Sequence, residues 1–185
     1  MIRSFICIFF LSFPIISTYG QRNLRLDASP PGYFNLTEAY VAKGLSYTTT
    51  PFSASTLGFT TINGYKVDEN FRTGVGVGYY AYNGGGLIPL FLDLRYSFRA
   101  TPLNYKQIQS GKFKPSFFLY ADGGYLINPQ NIMHGTRMML NPGVGFMKPI
   151  TELISASFSV GIMTQMGDGL PKSSFLNTKI GLHFQ

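Results

Sequence analysis

The sequence predicts an all-β fold, a closed, antiparallel, up-and-down transmembrane β-barrel of about eight strands. Three observations carry that reading. The first is period-two alternation across residues 71–98: Phe71, Thr73, Val75, Val77 and Tyr79 share one side, opposite Arg72, Gly74, Gly76 and Gly78. After Asn83-Gly84-Gly85-Gly86 it resumes, with Ile88, Leu90, Leu92, Leu94, Tyr96 and Phe98 facing away from Asp93, Arg95 and Ser97, so the two runs form a hairpin. The second is length, because each arm approaches the ~9–11 residues with which a tilted strand crosses a hydrocarbon layer. The third is composition. Charged residues are 12%, aromatics 16%, and 21 of the 185 residues are glycine. No apolar run after the N-terminus approaches the ~18 residues of a membrane-spanning helix.

The chain begins with one positive charge at Arg3, an apolar centre from Phe5 to Leu11, and small residues towards Gly20. Residues 1–20 therefore read as a signal peptide cleaved before Gln21. Lipidation would need a cysteine closing the apolar centre, and the single cysteine, Cys7, lies inside it. The mature chain then has neither disulfide nor thiol chemistry. Residues 21–31, with Arg22, Arg25, Asp27 and Pro30-Pro31, form a polar periplasmic lead-in, and residues 32–185 form one barrel domain. The net charge of +7 comes from lysines and arginines scattered among apolar strands, with no basic run. That argues against a nucleic-acid partner and for anionic lipid headgroups or lumen-lining charge.

The strands follow in order. Residues 33–47 form the first, although Phe34, Leu36 and Tyr40 on one side and Tyr33, Ala39 and Val41 on the other leave its facing open. Residues 57–65 form the second, and the polar turn 66–70 leads into the hairpin at 71–98. A longer polar connection, 99–111, precedes a fifth strand over 113–126, where Phe117, Leu119 and Ala121 oppose Lys114, Ser116, Tyr120 and Asp122. In the sixth, Met138, Leu140, Val144 and Phe146 alternate with Arg137, Asn141, Gly143 and Gly145. The seventh sets Ile154, Ala156, Phe158, Val160 and Ile162 against Ser155, Ser157, Ser159 and Gly161. The last sets Leu176, Thr178, Ile180, Leu182 and Phe184 against Asn177, Lys179, Gly181 and His183. Loops at 48–55, 128–135 and 167–174 are expected on the outward rim, the place for an extracellular partner. Rings near strand ends, among them Tyr79, Tyr96, Tyr125 and Phe184, suit the headgroup level.

From residue 33 onwards this pattern resembles the small eight-stranded outer-membrane β-barrels of Gram-negative bacteria. The Gly74-x-Gly76-x-Gly78 run and a leading Gln21 resemble barrel proteins of the Bacteroidota. The C-terminal stretch from Lys179 through Gly181 to Phe184 is similar to the assembly signal of such barrels, but it stops at Gln185 without the final hydrophobic position. The resemblance implies the outer membrane as location, its lipid as surroundings, and recognition by the barrel-assembly machinery through the last strand.

In hydrocarbon an open sheet edge has no water to satisfy it, so the strands must close on themselves. At about eight strands the interior is just wide enough for side chains to fill. Arg72, Asp93, Arg95, Lys114, Asp122, Arg137 and Lys179 are then expected to point inward as a salt-bridged plug, with a narrow solute path as the alternative. The glycines expected on the inward face, Gly74, Gly76, Gly78, Gly123, Gly143, Gly145, Gly161 and Gly181, leave room for rings such as Tyr80, Phe91 and Tyr120. The glycine spacing along a strand, with no following helix, excludes a nucleotide loop. His134 lies in a loop and His183 at the far end of the last strand, so they make no metal site. His183 faces the same side as Ser155, Ser157 and Ser159 on the neighbouring strand, but nothing in the sequence orients the imidazole. No catalytic residue, metal ligand or cofactor is assigned, and a lipid-modifying enzyme is the least favoured reading. Alternation alone also permits a soluble, lipocalin-like barrel.

Overall fold

The computed structural model describes residues 31–45, 54–68, 70–98, 115–131, 135–151, 153–167 and 170–185. The expected signal segment, nearly all of the lead-in, the whole of the 99–111 connection, Lys114 and His134 lie outside the described residues. Eight strands form: β1 (Gly32–Gly44), β2 (Ser55–Lys66), β3 (Phe71–Tyr82), β4 (Gly85–Ser97), β5 (Ser116–Ile127), β6 (Arg137–Pro149), β7 (Ile154–Gly167) and β8 (Leu170–Phe184). Each pairs antiparallel with its sequence neighbours, and β1 pairs antiparallel with β8, closing the barrel. Both ends of the barrel domain lie at one rim.

Local chemistry explains the reversals. Between β2 and β3, Asp68 Oδ1 accepts the amides of Asn70 and Phe71 at 2.7 Å each. The Phe71 and Asn70 donors hold this exposed carboxyl below its ordinary range. Asn83 and Gly84 turn β3 into β4, and Gly85 follows at φ +129°, a conformation that favours glycine. Thr151 Oγ1 accepts the amides of Leu153 and Ile154 in the turn before β7. β5 starts after Pro115, which has no amide hydrogen to donate to a ladder.

The exterior is a belt of exposed apolar side chains, including Leu92, Val144, Val160 and Ile180. Tyr79, Tyr96, Tyr125 and Phe184 are exposed near strand ends. The interior is filled by rings seated over glycines on neighbouring strands. A methyl group on Gly76 would stand 2.3 Å from the Phe91 ring, and one on either Gly143 or Gly161 would strike Tyr120. Side-chain volume and glycine thus alternate across the lumen, which is how a narrow barrel packs.

The facing of β1, which the sequence left open, is resolved, and two expectations are corrected. β1 turns Phe34, Leu36, Glu38, Tyr40 and Ala42 inward, so its more apolar side faces the lumen and its more polar side faces out. Gly123 is not an inward glycine. Its Cβ direction meets only Leu140, itself exposed, whereas Gly124 lies under Phe91. Residues 170–174 are strand rather than loop, since Gly167 already pairs with Leu170 and Gln165 with Ser173.

Candidate functional site

Among the described residues the buried charges concentrate in the lumen, and its filling falls into three layers. Towards the rim opposite the chain ends, Tyr40 stacks on Tyr80 with ring centroids 4.4 Å apart. Tyr40 also donates to Met163 Sδ at 3.3 Å. Beside them Gln165 Nε2 donates to Tyr82 Oη at 2.6 Å, and Tyr82 meets Phe175 edge-on.

The middle layer is ionic. Arg95 Nε donates to both oxygens of Asp93, at 3.0 and 2.9 Å, and its Nη2 donates to Glu38 Oε1 at 2.9 Å. Lys179 Nζ lies 3.5 Å from Glu38 Oε2 and donates a short bond to Asp122 Oδ2. Asn141 Nδ2 donates to the same carboxylate oxygen at 2.9 Å, and Asn177 Nδ2 donates to Asn141 Oδ1 at 2.7 Å. The Lys179 ammonium sits 4.3 Å from the Tyr120 ring centroid, and the Arg95 guanidinium lies over Phe118 and Tyr120. Strand register dictates this arrangement. Asp93 and Asp122 are directly opposed across β4 and β5, a like-charge pair that needs the two cations beside it. Arg72 is directly opposite Arg95, so it brings a third cation to three carboxylates.

The third layer, towards the chain ends, holds Arg72 and His183. Arg72 Nη1 donates to Met147 Sδ at 3.6 Å and lies 3.4 Å from His183 Nδ1, with the guanidinium over the Phe34 ring. In a Ser-His-Asp triad the corresponding nitrogen faces a carboxylate. Here it meets a guanidinium.

Of the sequence-derived set, Arg72, Asp93, Arg95, Asp122, Arg137 and Lys179 are all buried. Asp93, Arg95, Asp122 and Lys179 share one network, Arg72 adjoins it, and Arg137 stands apart near the opposite rim at the start of β6. Gly181 gives Glu38 its space, for a methyl group there would sit 2.9 Å from Glu38 Cγ, while Phe184 faces outward. Sequence reasoning missed Glu38, which links Arg95 to Lys179. One signal pointed to it. The expected inward set held five cations against two acids, and Glu38 is the sole acid of the first strand.

Among the described residues no three His, Cys, Asp or Glu side chains are placed to hold a metal ion. On the exterior a shallow apolar depression between Leu94, Leu119, Pro142 and Val144 continues the belt.

The barrel is similar to solved structures. Neisserial surface protein A superposes with TM-score 0.54 at 14% identity, covering 84% of this chain and 99% of that one. A de novo designed transmembrane β-barrel gives 0.48 at 13%, covering 85% and 98%. The N-terminal β-barrel domain of Pseudomonas aeruginosa OprF gives 0.43 at 20%, covering 84% and 100%. No protein-family model matches the sequence, and no curated protein matches it.

Proposed function

We propose that this chain is an integral outer-membrane β-barrel with a plugged lumen, serving a structural or surface-interaction role and no enzymatic one. The observation that carries the reading is the central ion network. Three carboxylates and two cations from β1, β4, β5 and β8 bridge the lumen, with the Tyr40–Tyr80 stack above them. Supporting the membrane itself is the exposed apolar belt, which in water would be a large aggregation-prone surface. The fold likeness to Neisserial surface protein A agrees with it. Lipid of the outer membrane surrounds the belt, the barrel-assembly machinery reads the last strand, and a partner on the cell exterior meets the rim opposite the chain ends.

A narrow channel is the second reading. It draws on buried polar atoms without a protein partner, Arg95 Nη1, Asp122 Oδ1 and Gln165 Oε1, which water could solvate along the axis. Solute release from liposomes carrying the refolded chain separates the two, after unheated protein is seen to migrate faster than boiled protein on a detergent gel. The plug predicts release no faster than from empty liposomes. Rapid release of small solutes replaces it with the channel, and no mobility shift removes the membrane barrel.

A further inference from the structure

The outward face of the barrel is not uniform. On β1 to β3, near the rim of the chain ends, Asn35, Thr37, Thr61, Asn63 and Thr73 point away from the lumen. Asn35 is directly opposite Asn63, and Thr37 directly opposite Thr61. At the matching step from the same rim, β4, β5 and β6 present Leu94, Leu119 and Phe146. One sector of the belt therefore carries amides and hydroxyls where the others carry leucine and phenylalanine.

These groups satisfy one another only in part. Asn35 Nδ2 donates to Thr61 Oγ1 at 3.1 Å and to Asn63 Oδ1 at 2.9 Å, and Tyr33 Oη donates to the same Asn63 oxygen at 2.5 Å. Thr37 Oγ1 reaches Asn35 Oδ1 at 3.4 Å. Among the described residues the Asn63 amide nitrogen and the Thr61 hydroxyl hydrogen meet no acceptor, while Thr37 Oγ1 keeps accepting capacity. An unmet donor in hydrocarbon is costly, and polar side chains there act as glue between segments.

We infer that the β1–β2 outer face is a self-association surface, and that its occupant is a second copy of this chain. The chemistry selects that occupant because the patch holds spare donors and spare acceptors side by side. Two copies related by a two-fold axis bring the Asn63 donors of each against the Thr37 and Asn35 oxygens of the other. Lipid ester and phosphate oxygens accept from the Asn63 amide, while only a headgroup ammonium or hydroxyl donates to Thr37, so lipid is the competing occupant that the test separates. The inference rests on the membrane reading, since in water the same groups would simply be solvated.

Energy transfer between donor- and acceptor-labelled copies in phosphatidylethanolamine–phosphatidylglycerol vesicles tests it, with the gel mobility shift scored on every sample. The expected result is transfer for the natural chain and self-association weakened about tenfold in the double variant Asn35→Leu, Asn63→Leu. The shape-conserving Thr37→Val supplies the same test, in the same direction, if the double variant loses its mobility shift. A natural chain that shifts on the gel but shows no transfer is a monomer whose patch meets lipid, and the inference fails while the membrane reading stands. Transfer undiminished in both variants also overturns it, placing the contact elsewhere. Absence of the mobility shift in the natural chain defeats the membrane reading and the interface together.

Discussion

Glu38 is bonded to two cations that sequence distance gives no reason to bring together, Arg95 on β4 and Lys179 on β8. Lys179 in turn serves two carboxylates, Glu38 and Asp122. Replacing it as Lys179→Met leaves the buried acids in excess of their cations, since Asp122 keeps only the Asn141 amide and Glu38 must share Arg95 with Asp93. The expected loss is about 3–5 kcal/mol, read from urea unfolding of the barrel in vesicles. Adding Glu38→Gln to that variant should recover part of it, because one of the excess charges is then gone. Asp93, Arg95 and Asp122 were expected inward because Leu92, Leu94, Tyr96 and Ala121 stand beside them along their strands. Glu38 was not. Its outward neighbours Asn35 and Thr37 are polar and its inward neighbours Phe34, Leu36 and Tyr40 apolar, so polarity does not tell the lumen from the lipid on β1. A packed interior accepts apolar rings as readily as ions, and the alternation then loses its sign.

At the level of strands, alternation read correctly wherever one face was largely apolar, as on β3, β4, β6 and β7. It failed past the belt. Pro171, Lys172, Ser173 and Ser174 read as loop because a strand that projects beyond hydrocarbon needs no apolar half, yet Thr164 pairs with Ser174 in the ladder. Facing is nonetheless testable strand by strand. Leu92→Arg places a guanidinium in the belt and should destabilise the folded barrel by about 2–4 kcal/mol, whereas Val67→Arg in the β2–β3 turn should change it by about 0–1 kcal/mol. Equal effects in urea titrations of the two variants would mean that Leu92 does not meet lipid. The glycine misassignment on β5 has a local cause as well. Gly123 and Gly124 are adjacent, and without side chains neither announces its side, so only the parity of Tyr120 and Asp122 identifies Gly124 as the residue beneath Phe91.

Over the whole molecule, closure depends on β1 and β8, which meet along ten residue pairs from Asn35 with Phe184 to Gly44 with Phe175. Deleting residues 184–185 removes the last of these pairs and the Gln185 amide bond to the Leu153 carbonyl, a small part of the ladder. The truncated chain should still shift on a detergent gel after refolding in vitro. Its assembly in cells, followed by protease protection and outer-membrane fractionation, should fall severalfold if the last strand is the signal that the assembly machinery reads. Unchanged cellular assembly would show that it is not read. The number of strands and their antiparallel order were legible from alternation and turn residues, while the pairing of charges was not, since it depends on how far each strand slides past the next. That pairing also sets an order of events. Glu38 lies on the first strand and Lys179 on the last, so their contact cannot exist in any sheet that is still open. An intermediate with β1 and β8 apart keeps Glu38 waiting for half of its partners and Lys179 for one of its two. Such a species is raised in energy at the very step before completion. The final curl is therefore expected to be the cooperative event of folding, with the seam between the first and last strands snapping shut rather than breathing open.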